Sequence, residues 1–429
     1  MARSLGLNIY RAYKGWNGSS RAEKLLAREI EAGKEHPLRA RERLGEITTP
    51  RPAGPLVWFH ASNETDALAI PELVARLAAE RDEVSFLITT SVYEPDMPLE
   101  GRLSQPLLHQ YLPYETGKGI KRFLDHWRPD VVVWSDRDLR PTVLENVSER
   151  KVPLIMIDAH VPEDAQKKWR WYPGTAKQLV RRFDGILAGD QRSAENLRNL
   201  GVAPEKIEVV GYLQEGTAPL SCSQTERDAM GELLAARPVW LAAGIDAREE
   251  DIVVAAHRQA IRRSHRLLLI LVPHDKSRGP DIAERLEAEG WAVALRSREE
   301  EPETDVQIFI ADVPQEMGLW FRLAPTSFMG QSLAEGPGRN PYEATALGSA
   351  LLYGPNVHKY RESYERLNSA GAAVMVHDVQ SLGRQVEYFL APDKAAEMAA
   401  AAWEVSTSGA EVTDRASDLI FAALDARGV

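Results

Sequence analysis

Short, nearly continuous apolar runs that end in polar residues, separated by segments of helical periodicity, constrain this chain most. Residues 55–60, 84–90, 131–134, 152–157, 185–188 and 207–210 form one such series. Apolar side chains at successive positions predict strands covered on both faces, as in a parallel sheet between helix layers. After a polar, loosely patterned stretch at 215–237, the rhythm restarts at 238–244, 267–272, 306–311, 326–329 and 350–353. The expectation is two α/β domains with parallel sheets. The chain's 429 residues are enough for each to bury a core.

The expected organisation is a basic segment at 1–50, a first Rossmann-like domain at 51–215, a linker at 216–236, a second Rossmann-like domain at 237–410 and a terminal helix at 411–429. Parallel sheets bind ligands at the carboxyl ends of their strands. His60, Glu64, Asp66, Asp136, Asp138, Asp158 and His160 gather at such ends in the first half. One acid there is usually a helix cap, whereas several predict a site. With two domains, the expected place for it is the cleft between them.

The net charge of −11 argues against general nucleic-acid binding. A single cysteine, Cys222, excludes an internal disulfide and a Cys-rich metal centre, and ten scattered histidines give no H-E-x-x-H. No metal and no cofactor is expected. No run reaches the roughly 18 apolar residues of a membrane span, and no signal-peptide pattern is present. Residues 1–51 nevertheless hold eleven Lys/Arg against six Glu, interspersed with Leu5, Leu7, Ile9, Tyr10, Tyr13 and Trp16. Such an arm suits either an anionic membrane surface or a solvated helix packed on the domain.

The most distinctive loop is residues 330–343, GQSLAEGPGRNPYE, directly ahead of a helix start. Glycines let backbone N–H groups approach a ligand closely, and the following helix N-terminus favours an anion such as phosphate. A well-capped loop-to-helix turn accounts for the same residues.

The chain resembles the 3-deoxy-D-manno-octulosonic acid (Kdo) transferases, from about residue 33 to residue 367. That family pattern in the loop is close to G-G-S-L-V-x-R-G-G-H-N-P-L-E. Gly330, Ser332, Leu333, Gly338, Asn340, Pro341 and Glu343 match it; Gln331, Pro337, Arg339 and Tyr342 depart. Residues 312–316, DVPQE, stand where the family has D-T-M-G-E. Residues 353–356, YGPN, correspond to F-G-P-H, and the run 267–273 to L-I-L-V-P, followed by His274 in place of Arg. In the first half, residues 33–35 and 41–45 (RERLG) fit the entry segment, and 58–62, WFHAS, fits W-I-H-A-V-S-V-G-E.

The resemblance implies a GT-B fold, two Rossmann-like domains facing a central cleft, and transfer of Kdo from CMP-Kdo to a lipid A precursor. It implies CMP contacts at Pro273, His274, Pro314, Gln315, Glu316, Gly330, Ser332, Gly338, Arg339, Asn340, Pro341, Tyr342 and Glu343. The loop amides would hold the phosphate, with Arg339 a forked cation for phosphate or sugar carboxylate. The family's general base is the Glu ending the W-I-H-A motif; here Glu64 is the candidate and Asp66 its understudy. Asp138 lies in DRDLRP, where the family has E-T-E-L-W-P. Asp158-Ala159-His160 replaces N-A-R, and Gln214 replaces a lysine expected to stabilise developing negative charge.

The implied partners are a CMP-sugar donor, a lipid A-type acceptor and the inner membrane surface, with a peripheral location on its cytoplasmic face. Two alternatives stay open: a transferase for another CMP-activated keto-sugar acid or acceptor, and a non-catalytic nucleotide-binding protein of the same fold.

Overall fold

The computed structural model describes residues 18–62, 67, 69–93, 107–135, 138–161, 173–213, 220–234 and 237–429. The chain divides into two compact units, Met1–Gly216 with Ser408–Val429, and Thr217–Thr407.

In the first unit the strands are β1 (Leu56–Ala61), β2 (Ser85–Thr90), β3 (Leu107–Tyr111), β4 (Val131–Ser135), β5 (Leu154–Ala159), β6 (Gly185–Ala188) and β7 (Ile207–Val209). They form a seven-stranded sheet in the order β3-β2-β1-β4-β5-β6-β7, parallel throughout. Alternate residues feed two cores. Leu56, Trp58, Val132, Trp134 and Leu154 face one, and Val57, Phe59, Val131, Val133 and Ile155 the other. Both sets are buried because helices cover both faces, which explains the uninterrupted apolar runs.

The second unit repeats the plan with β8 (Val239–Ile245), β9 (Leu268–Pro273), β10 (Val293–Leu295), β11 (Ile308–Ile310), β12 (Thr326–Met329), β13 (Ala350–Tyr353) and β14 (Ala373–Met375). Its order is β10-β11-β9-β8-β12-β13-β14, again parallel. Strand order reverses between β8 and β12, and in the first sheet between β1 and β4. Such switch points open a crevice at the carboxyl ends of the strands.

The stretch at 215–237, read as a linker followed by a helix, holds the helix Gln224–Leu234, whose Met230 and Leu234 enter the core of the second unit. The terminal segment is the end of a helix running Pro392–Arg427. Val412, Ala416, Ile420 and Leu424 recur every fourth residue on one face of it and join the core of the first unit. That spacing returns the end of the chain to the unit in which it began.

Candidate active site

β12 leads directly into the glycine-rich loop, at the switch point of the second sheet. Gly330 donates its N–H to the Ala243 carbonyl at 2.9 Å, and a Cβ there would lie 2.5 Å from the Gly244 carbonyl oxygen. Only glycine permits this approach to β8. The next four amides converge on one carboxylate. Gln331 N donates to Glu249 Oε2 at 2.6 Å, and Ser332, Leu333 and Ala334 N donate to Oε1 at 2.8, 2.8 and 3.2 Å. Asp246 N adds a fifth bond at 3.1 Å. Glu249 is fully buried, immediately ahead of the helix Glu250–Ala260.

This differs from the expectation that the loop amides hold a ligand phosphate. The amides do gather round an anion, but the anion is the chain's own. Ser332, expected at the ligand, is also buried and structural. Its hydroxyl donates to the Met329 carbonyl and accepts from Gly354 N at 2.7 Å, and its carbonyl accepts from Asn356 N at 2.8 Å. The loop is therefore stitched to the ends of β12 and β13 from beneath.

Two glutamines preserve a backbone that the sequence hides. Gln331 has φ 59° and Gln315 φ 66°, and both stand where the family pattern has glycine. A side chain in the left-handed region costs about 1 kcal/mol. Gln331 has a compensating contact, its Nε2 donating to His274 Nδ1 at 2.9 Å. His274 in turn follows β9 and is anchored by its N–H to the Ile245 carbonyl at 2.9 Å. The substitutions at 274 and 331 thus form one interacting pair.

Arg339 Nη2 donates to Glu343 Oε2 at 2.7 Å, one helical turn on. Its carbonyl accepts from the Tyr364 hydroxyl at 2.9 Å. Gly244, at φ 66°, leaves the space its guanidinium fills, since a Cβ there would lie 2.5 Å from Nη1. The Arg339 Nε is buried with no hydrogen-bond partner among the described residues. Asn340 Oδ1 accepts from Tyr342 N at 3.0 Å, so it caps the single turn Tyr342–Thr345. Tyr342 is buried in the core, and Gly338, at φ 75°, donates to the Gln331 carbonyl at 3.0 Å. Pro341 is the residue immediately ahead of the turn, at φ −67°.

The third wall follows β11. Pro314 and Gln315 are exposed. The Glu316 carboxylate is gripped by Arg296, Nη2 at 3.0 Å and Nε at 3.2 Å, and Arg296 also binds Glu226. Asp312 accepts from Ser297 N and Oγ at 2.9 and 2.7 Å, and packs where a side chain on Gly279 would clash.

Between these walls stands a residue the sequence did not single out. Lys276 opens the short turn Lys276–Arg278 after β9. Burial first, then repulsion from Arg339, pulls its ammonium down to about 8, while Asp312 and Glu316 oppose that shift. No sequence signal separates it from any other lysine after a strand. The same holds for Glu249, which reads as an ordinary acid at a helix start.

In the first unit, Glu64, Asp66, Asp136 and Gln214 lie outside the described residues. In the chain, residues 63–66 follow β1 and 136–138 follow β4, the two strands of that sheet's switch point. Asp138 is exposed, and its carbonyl accepts from Arg140 N at 2.9 Å. His60 is buried, its Nδ1 2.8 Å from Thr89 Oγ1 and its ring tilted at 46° to that of Trp134 with centroids 4.3 Å apart. Asp158 accepts from Leu213 N at 2.5 Å and from Ser135 Oγ at 3.1 Å. His160 Nδ1 lies 2.8 Å from the Tyr212 hydroxyl, which donates to Asp190 at 2.5 Å. The bond from His160, with those from Tyr212 and Ser193, holds the Asp190 carboxyl far below the usual carboxylate range. Asp158 and His160 are thus part of a polar cluster at the carboxyl ends of β5, β6 and β7.

A sequence profile of the 3-deoxy-D-manno-octulosonic-acid transferases (kdotransferases) matches residues 38–215. A probable mitochondrial 3-deoxy-D-manno-octulosonic acid transferase of Arabidopsis thaliana is 26% identical, over 85% of this chain and 84% of its own. The 3-deoxy-D-manno-octulosonic acid transferase of Haemophilus influenzae is 24% identical, over 88% of each chain. Among solved structures, Acinetobacter baumannii MurG superimposes with a TM-score of 0.53 at 14% identity, covering 86% of this chain and 99% of that one. The UDP-GlcNAc 2-epimerase of Neisseria meningitidis also gives 0.53, at 13% identity, covering 87% and 99%. The structural likeness is one of fold, the two-sheet GT-B architecture.

Proposed function

We propose that the chain, which is similar to the 3-deoxy-D-manno-octulosonic acid (Kdo) transferases over most of its length, is a divergent member of that family and transfers Kdo from CMP-Kdo to a lipid A precursor. Likeness to named Kdo transferases over most of both chains carries this reading. The second unit is the proposed donor side, because the loop 330–343 lies at its switch point between β8 and β12. Pro273, His274, Pro314–Glu316 and Asn340–Glu343 line that region in this reading.

In the proposed reaction, Glu64 accepts the proton of the acceptor hydroxyl as its oxygen attacks the anomeric carbon of Kdo. The bond from that carbon to the phosphate oxygen breaks and CMP leaves. A single displacement of this kind inverts the configuration. Asp66 and Asp138 are the other carboxylates proposed on that side, and Gln214 brings a hydrogen-bond donor where the family pattern has a lysine. No step uses a metal or cofactor.

A second reading, transfer of another CMP-activated keto-sugar acid, is favoured by the coupled change at His274 and Gln331. Thermal unfolding with a panel of CMP-sugars separates the two. CMP-Kdo at about 100 times its Kd stabilises by about 2.7 kcal/mol, a rise of roughly 5 °C or more, while CMP-N-acetylneuraminate leaves the melting temperature unchanged. The opposite ranking removes Kdo as the donor sugar.

No helix among the described residues is long and apolar enough to cross a membrane. We place the protein on the cytoplasmic face of the inner membrane, held peripherally by its basic N-terminal segment. The helix Gly18–Glu31 buries Ala22 and Leu26 and leaves Leu25 and Ile30 exposed; Leu38, beyond it, is 89% exposed. Such apolar tips beside Arg21, Lys24, Arg28 and Lys34 suit an anionic headgroup layer. The expected result is release from membranes at about 1 M salt, where the screening length is about 3 Å. Retention at that salt contradicts peripheral electrostatic attachment.

A further inference from the structure

The loop that looks built to cradle a phosphate is already filled. The amides of residues 331–334 all point at the buried carboxylate of Glu249, and Asn340 occupies the amide of Tyr342. A donor's phosphate therefore needs side-chain cations. Arg296 is committed to Glu316 and Glu226, and Arg339 to Glu343. Lys276 differs from both. Among the described residues it has no hydrogen-bonded or ion-paired partner, because Asp312 is spent on Ser297 and Glu316 on Arg296.

We propose that Lys276 is the anion-binding residue of the donor site, contacting the phosphate of a bound nucleoside monophosphate or CMP-sugar, with Arg339 as the fixed charge beside it. This rests on the reading of the second unit as a nucleotide-sugar site. The placement follows from the fold: Lys276 lies three residues beyond Pro273, the last residue of β9, and β9 adjoins β8 at the switch point. The turn it opens is fixed by Asp275, whose carboxylate accepts Ser277 N at 3.0 Å, and by the close approach of Gly279 to Asp312. A half-buried ammonium beside a guanidinium is costly to keep charged, and an incoming phosphate removes that cost. Its charged surroundings are Arg339, Asp312 and Glu316, the last held by Arg296, with His274 and Asp275 on its own segment.

The sign of the pH effect follows. Burial and Arg339 lower the Lys276 pKa to about 8 in the empty site, so the ammonium is charged below that pH and lost above it. A bound phosphate favours the charged form, so binding takes up a proton above pH 8 and weakens as pH rises. The window from pH 7.5 to 9.5 lies above the second ionisation of a phosphomonoester, at about 6.

The test is calorimetric titration of the full chain with CMP, UMP and cytidine across that window. For the wild type, CMP affinity falls about fivefold between pH 8 and 9, following the charged fraction of a group with that pKa. Lys276→Met binds CMP roughly 10- to 100-fold more weakly at pH 7.5, without the further fall above pH 8. Lys276→Arg, charged throughout, binds CMP with no fall to pH 9.5. Cytidine affinity, which involves no phosphate, is unchanged in both variants and reports an intact site. A Lys276→Met protein that binds CMP within twofold of the wild type overturns the inference, as does a wild-type affinity flat across the window. UMP binding more tightly than CMP, with the same dependence on Lys276, supports the inference while removing the CMP-sugar reading.

Discussion

Replacing Glu249 by alanine destabilises the second unit by about 3–5 kcal/mol, because it strands five backbone N–H groups at once, those of Gln331 and Ser332 buried and those of Asp246, Leu333 and Ala334 part-buried. Each orphaned donor alone costs about 1–3 kcal/mol, and water entering the gap recovers part of the sum. The loss corresponds to a melting temperature lower by roughly 10 °C. The loop 331–334 loses its floor, so nucleotide affinity goes with it. Glu249→Gln costs less, since its remaining carbonyl oxygen can take the three bonds now made to Oε1 while its amide nitrogen faces the other two donors. Thermal unfolding of the two variants in parallel gives the order wild type, then Gln, then Ala. An alanine variant that melts within 2 °C of the wild type contradicts the role given to Glu249.

Replacing Glu64 by glutamine removes transfer and leaves donor binding intact. A general base contributes about 10²- to 10⁴-fold, and glutamine keeps the size of the side chain while removing its capacity to accept a proton. Initial rates of CMP release with acceptor present fall by that factor, while the affinity for CMP stays within twofold. Full activity in Glu64→Gln moves the role to Asp66 or Asp138, and Asp66→Asn is then the variant that loses the rate. A variant that loses CMP affinity along with activity points instead to a structural part for Glu64.

The two sheets were legible because their central strands are buried on both faces and cannot tolerate polar residues. The strands not read from the sequence, β3, β10 and β14, all lie at sheet edges. β10 and β14 have three residues each, and β3 carries His109 and Gln110. Edge strands bury less, so their apolar signal is short or broken. The terminal helix read correctly as helix, but its membership of the first unit depends on where Val412, Ala416, Ile420 and Leu424 land, which periodicity does not specify.

The site was legible in outline only. The loop glycines suggested a close approach to a ligand; in the structure Gly330 is pressed against the Gly244 carbonyl of β8, and Gly338 takes φ 75°. Gln315 and Gln331 look like losses of glycine, yet the backbone keeps the glycine-like conformation and the side chains bear the strain. Ser332 and Tyr342, which match or replace motif positions, are both buried. Glu249 and Lys276 carry no local signature, because their importance arises from residues distant in the chain, 82 to 85 positions away for the loop amides on Glu249 and in the segments after β11 and β12 for Lys276. Long-range pairing of this kind is set by the sheet order, and single-sequence periodicity is blind to it.

The central claim is transfer of Kdo to a lipid acceptor. Incubation of the purified protein with CMP-Kdo and a tetra-acylated lipid A precursor, followed by mass analysis of the lipid, tests it most directly. The account predicts lipid heavier by one or more Kdo residues and an equal number of CMP molecules released. Unmodified lipid from a protein that binds CMP-Kdo, or lipid modified only when a different CMP-sugar is supplied, contradicts it.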